Sequence, residues 1–479
     1  MRTRNALTFG AALLMLAGCG GGGGSDRGYA AAAITSSTPG GVNSGVTPGV
    51  PGVNPNQLTD ALVSSFQLDE LIHVDAATGT TSSRWATGNG PIDVANWGND
   101  AYVANALSQD VTVIDRLANT VVTNIDVKPT QLSGLRFIDN LLLPVVQPLV
   151  RPTGIAVTPA GTKAFSANLF GLTSINTTTN QVNKTILGLG QINFGNLLTN
   201  PSGVLNGFLA SPYPGLGVAK VACTNDVAVA SCLVTGKLMR VDARTDTVID
   251  YIDVGRAPIG VAIARNKAYV ACALSQETYV VDLVTGQVVS VIRGGMVPVD
   301  VATNQAEDRV YIANAFSGDI SVVDTAADVI VDTLPAGLSI SSLLTQMGIT
   351  LPATGGSSLT NLLNAFLQGF TGGMGSGTSL GSLITGGGSG GLLSPGNLIN
   401  GLVTGFLAYA GVSQQALQGM NLPAFGIWSV AVAHNPLFVC SANAVMGDMA
   451  VTQTQTRAVN SLMGLTGLGP ADVSTIWKR

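Results

Sequence analysis

Side chains suited to nucleophilic or metal-centred chemistry are few in this 479-residue chain. It holds two histidines, His73 and His434, and five cysteines, Cys19, Cys223, Cys232, Cys272 and Cys440. No Cys-x-x-Cys occurs, nor any Cys–His pair in a motif, so the sequence predicts no catalytic residue, no metal and no cofactor. His73 lies in an apolar strand-like run and His434 stands beside Asn435-Pro436, both settings of structural histidines. Cys223 and Cys232 are the only cysteines close in sequence, a candidate disulfide in an oxidising compartment. Cys232 with Cys272 is an alternative pairing, and free buried thiols acting as small apolar residues are a third reading.

Two polar positions recur. Asn105, Asn168, Asn314 and Asn443 close apolar runs of the type Tyr-Val-Ala-Asn. Such residues either line a polar ring or bond the turn that follows them, and the second role is the more common for Asn. Asp75, Asp115, Asp242, Asp282 and Asp324 end a later run and predict Asx turns. Their spacing does not bring together the several oxygens that calcium needs.

The elements carrying these residues form a repeat. Tyr102-Val-Ala-Asn105, Val111-Thr-Val-Ile-Asp115 and Thr120-Val-Val-Thr-Asn-Ile-Asp-Val127 recur as Tyr269-Val-Ala-Cys272, Tyr279-Val-Val-Asp282 and Gly286-Gln-Val-Val-Ser-Val-Ile292. They recur again as Tyr311-Ile-Ala-Asn314, Ile320-Ser-Val-Val-Asp324 and Val329-Ile-Val-Asp-Thr-Leu334. A further apolar run opens most units, as in Pro91-Ile-Asp-Val-Ala95, Pro152-Thr-Gly-Ile-Ala156, Pro258-Ile-Gly-Val-Ala262 and Pro298-Val-Asp-Val-Ala302. Four short β-branched runs per unit of about forty residues describe a four-stranded meander. Such a unit cannot bury both faces alone, and radial packing around an axis buries them. The expected fold is all-β, a seven-bladed β-propeller of four-stranded blades. Residues 62–87 supply three strands of blade 1, and Gly469-Pro-Ala-Asp-Val-Ser-Thr-Ile-Trp477 matches the missing first strand, so 470–477 is expected to complete it and close the ring. Blade 7 departs from the pattern at Gln453, and blade 3 is shortened near Asn176.

Tyr-Val-Ala-Asn, Val-Thr-Val-Ile-Asp and Thr-Val-Val-Thr-Asn-Ile carry a resemblance to the YVTN-repeat family of seven-bladed propellers. That family occurs in bacterial and archaeal surface and exported proteins. The resemblance covers most of 60–477 and implies the fold, while leaving function open. Related propellers include lactone hydrolases and the haem domain of cytochrome d1-type enzymes, but no equivalent acid, base or haem-ligand set is present to carry over.

The N-terminus predicts an address. Arg2 and Arg4 precede an apolar run, Ala6 to Ala17, too short to remain a membrane span. It ends in Leu16-Ala17-Gly18-Cys19, which resembles a bacterial lipobox with Cys19 as the lipidated residue. Residues 1–19 are therefore expected to be a lipoprotein signal peptide. Residues 20–58, rich in Gly, Ser and Pro, form a flexible tether, and 59–477 form the propeller. Gly20 lacks the aspartate associated with inner-membrane retention, so the expected location is the cell envelope, lipid-anchored in the outer membrane of a Gram-negative cell. A net charge of -5 gives no electrostatic case for nucleic acid.

Three inserts, 129–151, 190–215 and 335–426, fall between the last strand of one blade and the first of the next, and so open on one face. No Asp, Glu, Lys or Arg occurs from Thr333 to Gly447. Helix-like apolar spacing around Phe366 and Phe370, and again around Leu402, Phe406 and Tyr409, predicts apolar, partly helical inserts there. Such a cap is either a lid or a surface for a protein or hydrophobic ligand. The function predicted is a membrane-tethered, non-catalytic binding or scaffold propeller working through this face. The alternative is a lactonase-like hydrolase, which a cluster of carboxylates with a His or metal at the channel mouth would favour. An accessory to a redox enzyme is a third, weaker reading.

Overall fold

Runs such as Asp-Val-Thr-Val-Ile-Asp (110–115) are too β-branched and too short for helix, and the polar residues between them favour turns. The computed structural model describes residues 60–475, apart from 67, 76–79, 131–135, parts of 137–149, 189–213, 216, 316, 337–426, 433–437, 444–447 and 463–469. The described strands form seven four-stranded antiparallel sheets. Blade 2 is the template: Pro91–Trp97, Asp100–Asn105, Asp110–Asp115 and Thr120–Asp126 follow one another as neighbours. Blade 1 joins the first and last described strands. Pro470–Thr475 pairs antiparallel with Asp60–Ser65, Val473 lying opposite Val63, and Glu70–Asp75 and Thr80–Ala86 complete the sheet.

Burial falls from the second and third strands outward. Asp100–Asn105 is buried over five successive residues, whereas Val121 and Val122 of the fourth strand are exposed. Both faces of the middle strands are covered because each blade packs on its two neighbours. Tyr102 and Ile175 share the cluster between blades 2 and 3, and Phe165 and Met239 that between blades 3 and 4. Tyr269 and Ile312 join blades 5 and 6, Val63 and Met449 join blades 1 and 7, and Leu62 and Val103 join blades 1 and 2. A buried aromatic or aliphatic side chain of this size contributes roughly 1.5–3 kcal/mol, so the apolar interfaces between blades carry most of the fold's stability.

The first strands line the axis: Pro91–Trp97, Gly154–Val157, Val218–Cys223, Pro258–Ala264, Pro298–Thr303, Ile427–Val432 and Pro470–Thr475. In blades 2, 4, 5, 6 and 7 the register slips near the start of this strand, as between Pro91 and Asp93 or Pro298 and Asp300. In blade 1 the slip lies opposite Asp472. A bulge of this kind bends the strand and re-aims one side chain. That residue is the third of the strand's opening Pro-x-Asp or its equivalent.

Residues 1–59, 189–213 and 337–426 lie outside the described residues, and with them Cys19, the tether, the two larger inserts and the surface around Phe366, Phe370, Leu402, Phe406 and Tyr409. Only part of the 129–151 insert is described. His434 also falls outside.

Candidate functional site at the channel mouth

The third-position residues are Asp472, Asp93, Gly154, Lys220, Gly260, Asp300 and Ser429, one from each of blades 1 to 7. The next residues, Val473, Val94, Ile155, Val221, Val261, Val301 and Val430, form an apolar ring beneath them, and with Asp93, Lys220, Asp300 and Asp472 they line a cavity of about 200 Å³. The third-position residues lie near the start of the first strands, the end at which chain arrives from the inserts, and the cavity runs from them along the strands to Thr303 and Val432. Gly154 follows insert 129–151, Lys220 follows 190–215, and Ser429 follows 335–426.

Lys220 holds the centre. Its Nζ lies 2.9 Å from Asp472 Oδ1, 3.1 Å from Asp93 Oδ1 and 3.5 Å from Asp300 Oδ1. The three carboxylates are buried, and the lysine side chain is 20% exposed toward the cavity. Each carboxylate has its second oxygen on the next blade. Val94 N donates to Asp472 Oδ2 at 3.1 Å, Ile155 N to Asp93 Oδ2 at 2.7 Å, and Val430 N to Asp300 Oδ2 at 3.1 Å. Ser429 Oγ lies 2.9 Å from Asp300 Oδ2, contacts Asp472 Oδ1 and accepts Val473 N at 3.5 Å. Where no carboxylate is present, hydroxyls make the link. Thr153 Oγ1 donates to Val218 O at 2.7 Å between blades 3 and 4, and Ser231 Oγ donates to Ile259 O between blades 4 and 5.

The two glycines are steric necessities. A Cβ at Gly260 would stand 2.5 Å from the Asp300 Cα, and one at Gly154 would stand 3.0 Å from the Lys220 Cα. Neighbouring first strands approach too closely there for any side chain.

The electrostatics follow from burial. Desolvation raises Asp93 well above the ordinary carboxyl range, opposed by the Lys220 charge and reinforced by neighbouring Asp472. Asp300 is raised for the same reason, with Lys220 again opposing. Burial works against the Lys220 charge, but Asp300, Asp472 and Asp93 outweigh it and hold the ammonium well above the usual lysine range. A lysine held so firmly protonated is a poor nucleophile.

The residues singled out from sequence lie elsewhere. Asn105 is buried in the turn between the second and third strands, its Nδ2 donating to Asp110 Oδ1 at 2.7 Å and Thr112 Oγ1 at 2.8 Å. Asn314 repeats this with Asp319 and Ser321, and Asn168 accepts Phe170 N at 3.0 Å. These residues pin hairpins, mostly through side chains rather than turn backbone. The repeated aspartates do make Asx turns. Asp115 Oδ1 accepts Leu117 N and Ala118 N, both at 2.9 Å, and Asp242, Asp282 and Asp324 accept the corresponding amides. Amides from Thr245, Thr285 and Ala327 are the chief cause that holds these three carboxyls below their ordinary range. Blade 3 uses Asn176 in the same way, and its shortening falls in the tight hairpin Asn168–Gly171.

The proposed disulfide needs correction. Cys223 lies opposite Ala228 and Cys232 opposite Val218, at the two ends of one hairpin, and Cys223, Cys232, Cys272 and Cys440 are all free. Five strand positions at ~3.4 Å each far exceed the Cα separation a disulfide spans. Burial pushes each of the four thiols up to about 12. His73 stacks on Trp85, with ring centroids 6.3 Å apart, and bonds Ser82 Oγ at 2.6 Å through Nδ1. Among the described residues no group of three or more His, Cys, Asp or Glu is arranged to hold a metal.

No protein-family model and no curated protein matches the chain. Among solved structures, a functionally unknown protein from Desulfotomaculum acetoxidans DSM 771 aligns with a TM-score of 0.52 at 11% identity, over 86% of this chain and 97% of that one. Hydrazine synthase from Kuenenia stuttgartiensis aligns with a TM-score of 0.48 at 14% identity, over 84% and 94%. At such identities the likeness concerns the fold alone.

Proposed function

We propose that this protein is a lipid-anchored, non-catalytic binding or scaffold propeller of the YVTN-repeat type. In this reading Cys19 carries the anchor, 20–58 is the tether, and the last strand closes the ring. The inserts 129–151, 190–215 and 335–426 present an apolar surface to a protein or hydrophobic ligand. The observation that carries the reading is the position of the mouth. All three inserts precede first strands at the end where the third-position ring lies, and the polar groups there are spent on ties between blades. Apolar sequence entering the ring at one end, with no charged residue in 335–426, is suited to docking.

The test is a pull-down from solubilised outer membranes with the full chain and with a chain lacking 336–424. Loss of specific partners on deletion, with the propeller still folded by circular dichroism, is the expected result. A shortened chain that keeps every partner refutes the docking face. The anchor is tested apart from it: Cys19→Ser should abolish labelling by a radiolabelled fatty acid and release the protein from membranes.

A lactonase-like hydrolase is the second reading, and the carboxylates converging on the cavity favour it. It requires turnover of a lactone or aryl ester by the purified chain, lost in Asp300→Asn.

A further inference from the structure

The mouth has more oxygen contacts than its hydroxyl has hydrogens. Ser429 Oγ meets both Asp300 Oδ2 and Asp472 Oδ1, yet a serine has one proton to donate. Asp93 and Asp472 also crowd the same cation, with oxygens 3.1 and 2.9 Å from the Lys220 Nζ. Lys220 Nζ donates to Asp472 and lies within 3.5 Å of an oxygen of Asp93 and of Asp300, so its one charge is shared among all three. The charge count agrees, because three buried carboxylates face one ammonium. Blades 3 and 5 bring glycine and blade 7 brings serine to this level, so no further charge is supplied by the ring.

We propose that the Asp93–Asp300–Asp472 cluster retains a carboxyl proton at neutral pH, making the channel mouth a proton-loaded clasp that loosens as pH rises. Asp472 is the strand-borne half of the clasp. It ties the final strand to blade 2 through Val94 N, to blade 4 through Lys220 and to blade 7 through Ser429. Release of the proton leaves three negative charges around one ammonium and leaves the Ser429 hydroxyl with one hydrogen for two carboxylates. The sign is fixed by linkage. Asp93 and Asp300 are raised in the folded chain, so the stability they lend is full below the unfolded carboxyl range and is lost as pH rises through their folded values. Lys220, also raised, stays charged throughout that window. This property of the ring is independent of what the insert face binds.

The test uses the full chain and two variants, Asp93→Asn and Asp300→Asn, which keep an acceptor for Ile155 N and Val430 N. Infrared spectra of the wild type near pH 7 should show the carbonyl band of a protonated carboxylic acid, and at least one variant should lose it. Hydrogen exchange of 470–475, corrected for intrinsic rate, should accelerate about tenfold or more between roughly pH 6 and 9 in the wild type, corresponding to at least one unit of displaced titration. In the variant that loses the band this acceleration should be absent. Absence of the band in the wild type, or equal acceleration in all three proteins, overturns the proposal. So does stabilisation of the wild type by calcium chloride that both variants lose, since the charge would then be balanced by a cation. If one variant fails to fold, the other carries the same comparison.

Discussion

Two sets of polar residues recur around this ring and are used in opposite ways. At the outer turns blades 2 to 6 present the same solution: Asp115, Asn176, Asp242, Asp282 or Asp324 caps the amides two and three residues on. At the channel mouth the equivalent position differs from blade to blade, as Asp, Gly, Lys or Ser. The turn is satisfied within one blade, so each copy can be identical. The mouth is satisfied only between blades, so its members must be complementary. Sameness here marks local structure, and variation at one repeat position marks a site assembled by the whole ring.

The sharpest way to break the comparison is Lys220→Met. Removing the one cation leaves three buried carboxylates without their partner, and breaking a buried pair costs about 3–5 kcal/mol. Urea unfolding near neutral pH should show a loss of that order, and a loss under 1 kcal/mol would mean that the mouth is as local as the turns. Gly260→Ala should cost about 1–3 kcal/mol by overpacking, because the new methyl meets the backbone of Asp300 rather than a side chain that can move. Asp115→Ala removes two amide bonds at an exposed turn, and about 1 kcal/mol or less is expected from thermal unfolding.

The two regions should also answer acid differently. The lowered carboxyls of Asp242, Asp282 and Asp324 contribute stability above the unfolded carboxyl value, lost as pH falls through their folded values. The raised Asp93 and Asp300 lose theirs as pH rises. Residue-resolved hydrogen exchange across acid pH should therefore show the turns loosening while the mouth stays protected. The smallest effect concerns the thiols. Raised to about 12 by burial, Cys232, Cys272 and Cys440 should resist iodoacetamide near pH 8 in the folded chain and react once it is unfolded.

Much of the fold was legible from the repeat because β-branched runs, Asx residues and their spacing are local properties. The thirteen-residue step from Tyr102 to Asp115, repeated from Tyr269 to Asp282, reappears as a second and third strand in register, with Asp100 opposite Asp115 and Lys267 opposite Asp282. The Asn position was read with two roles, and the hairpin role is the one the geometry of Asn105 and Asn314 displays. The mouth was missed, although its residues lay in the same strings. A signal existed: Asp93, Asp300 and Asp472 follow Pro-Ile, Pro-Val and Pro-Ala in otherwise apolar strands, where a charge needs a partner. Cys223 and Cys232 misled in the converse way. Closeness along the chain suggested a bond that antiparallel pairing places at opposite ends of the hairpin.

The sequence by itself determined the strands, their turns and the number of blades, since each follows from neighbours within a few residues. Only the tertiary structure decided that Asp93, Lys220, Asp300, Ser429 and Asp472, spread over some 380 residues, meet in one cluster. The reason is geometric. A repeat of forty residues returns the same strand to the axis seven times, and whichever residue stands third in it is brought to the same ring. Whether that ring is neutral, strained or proton-bearing depends on all seven at once.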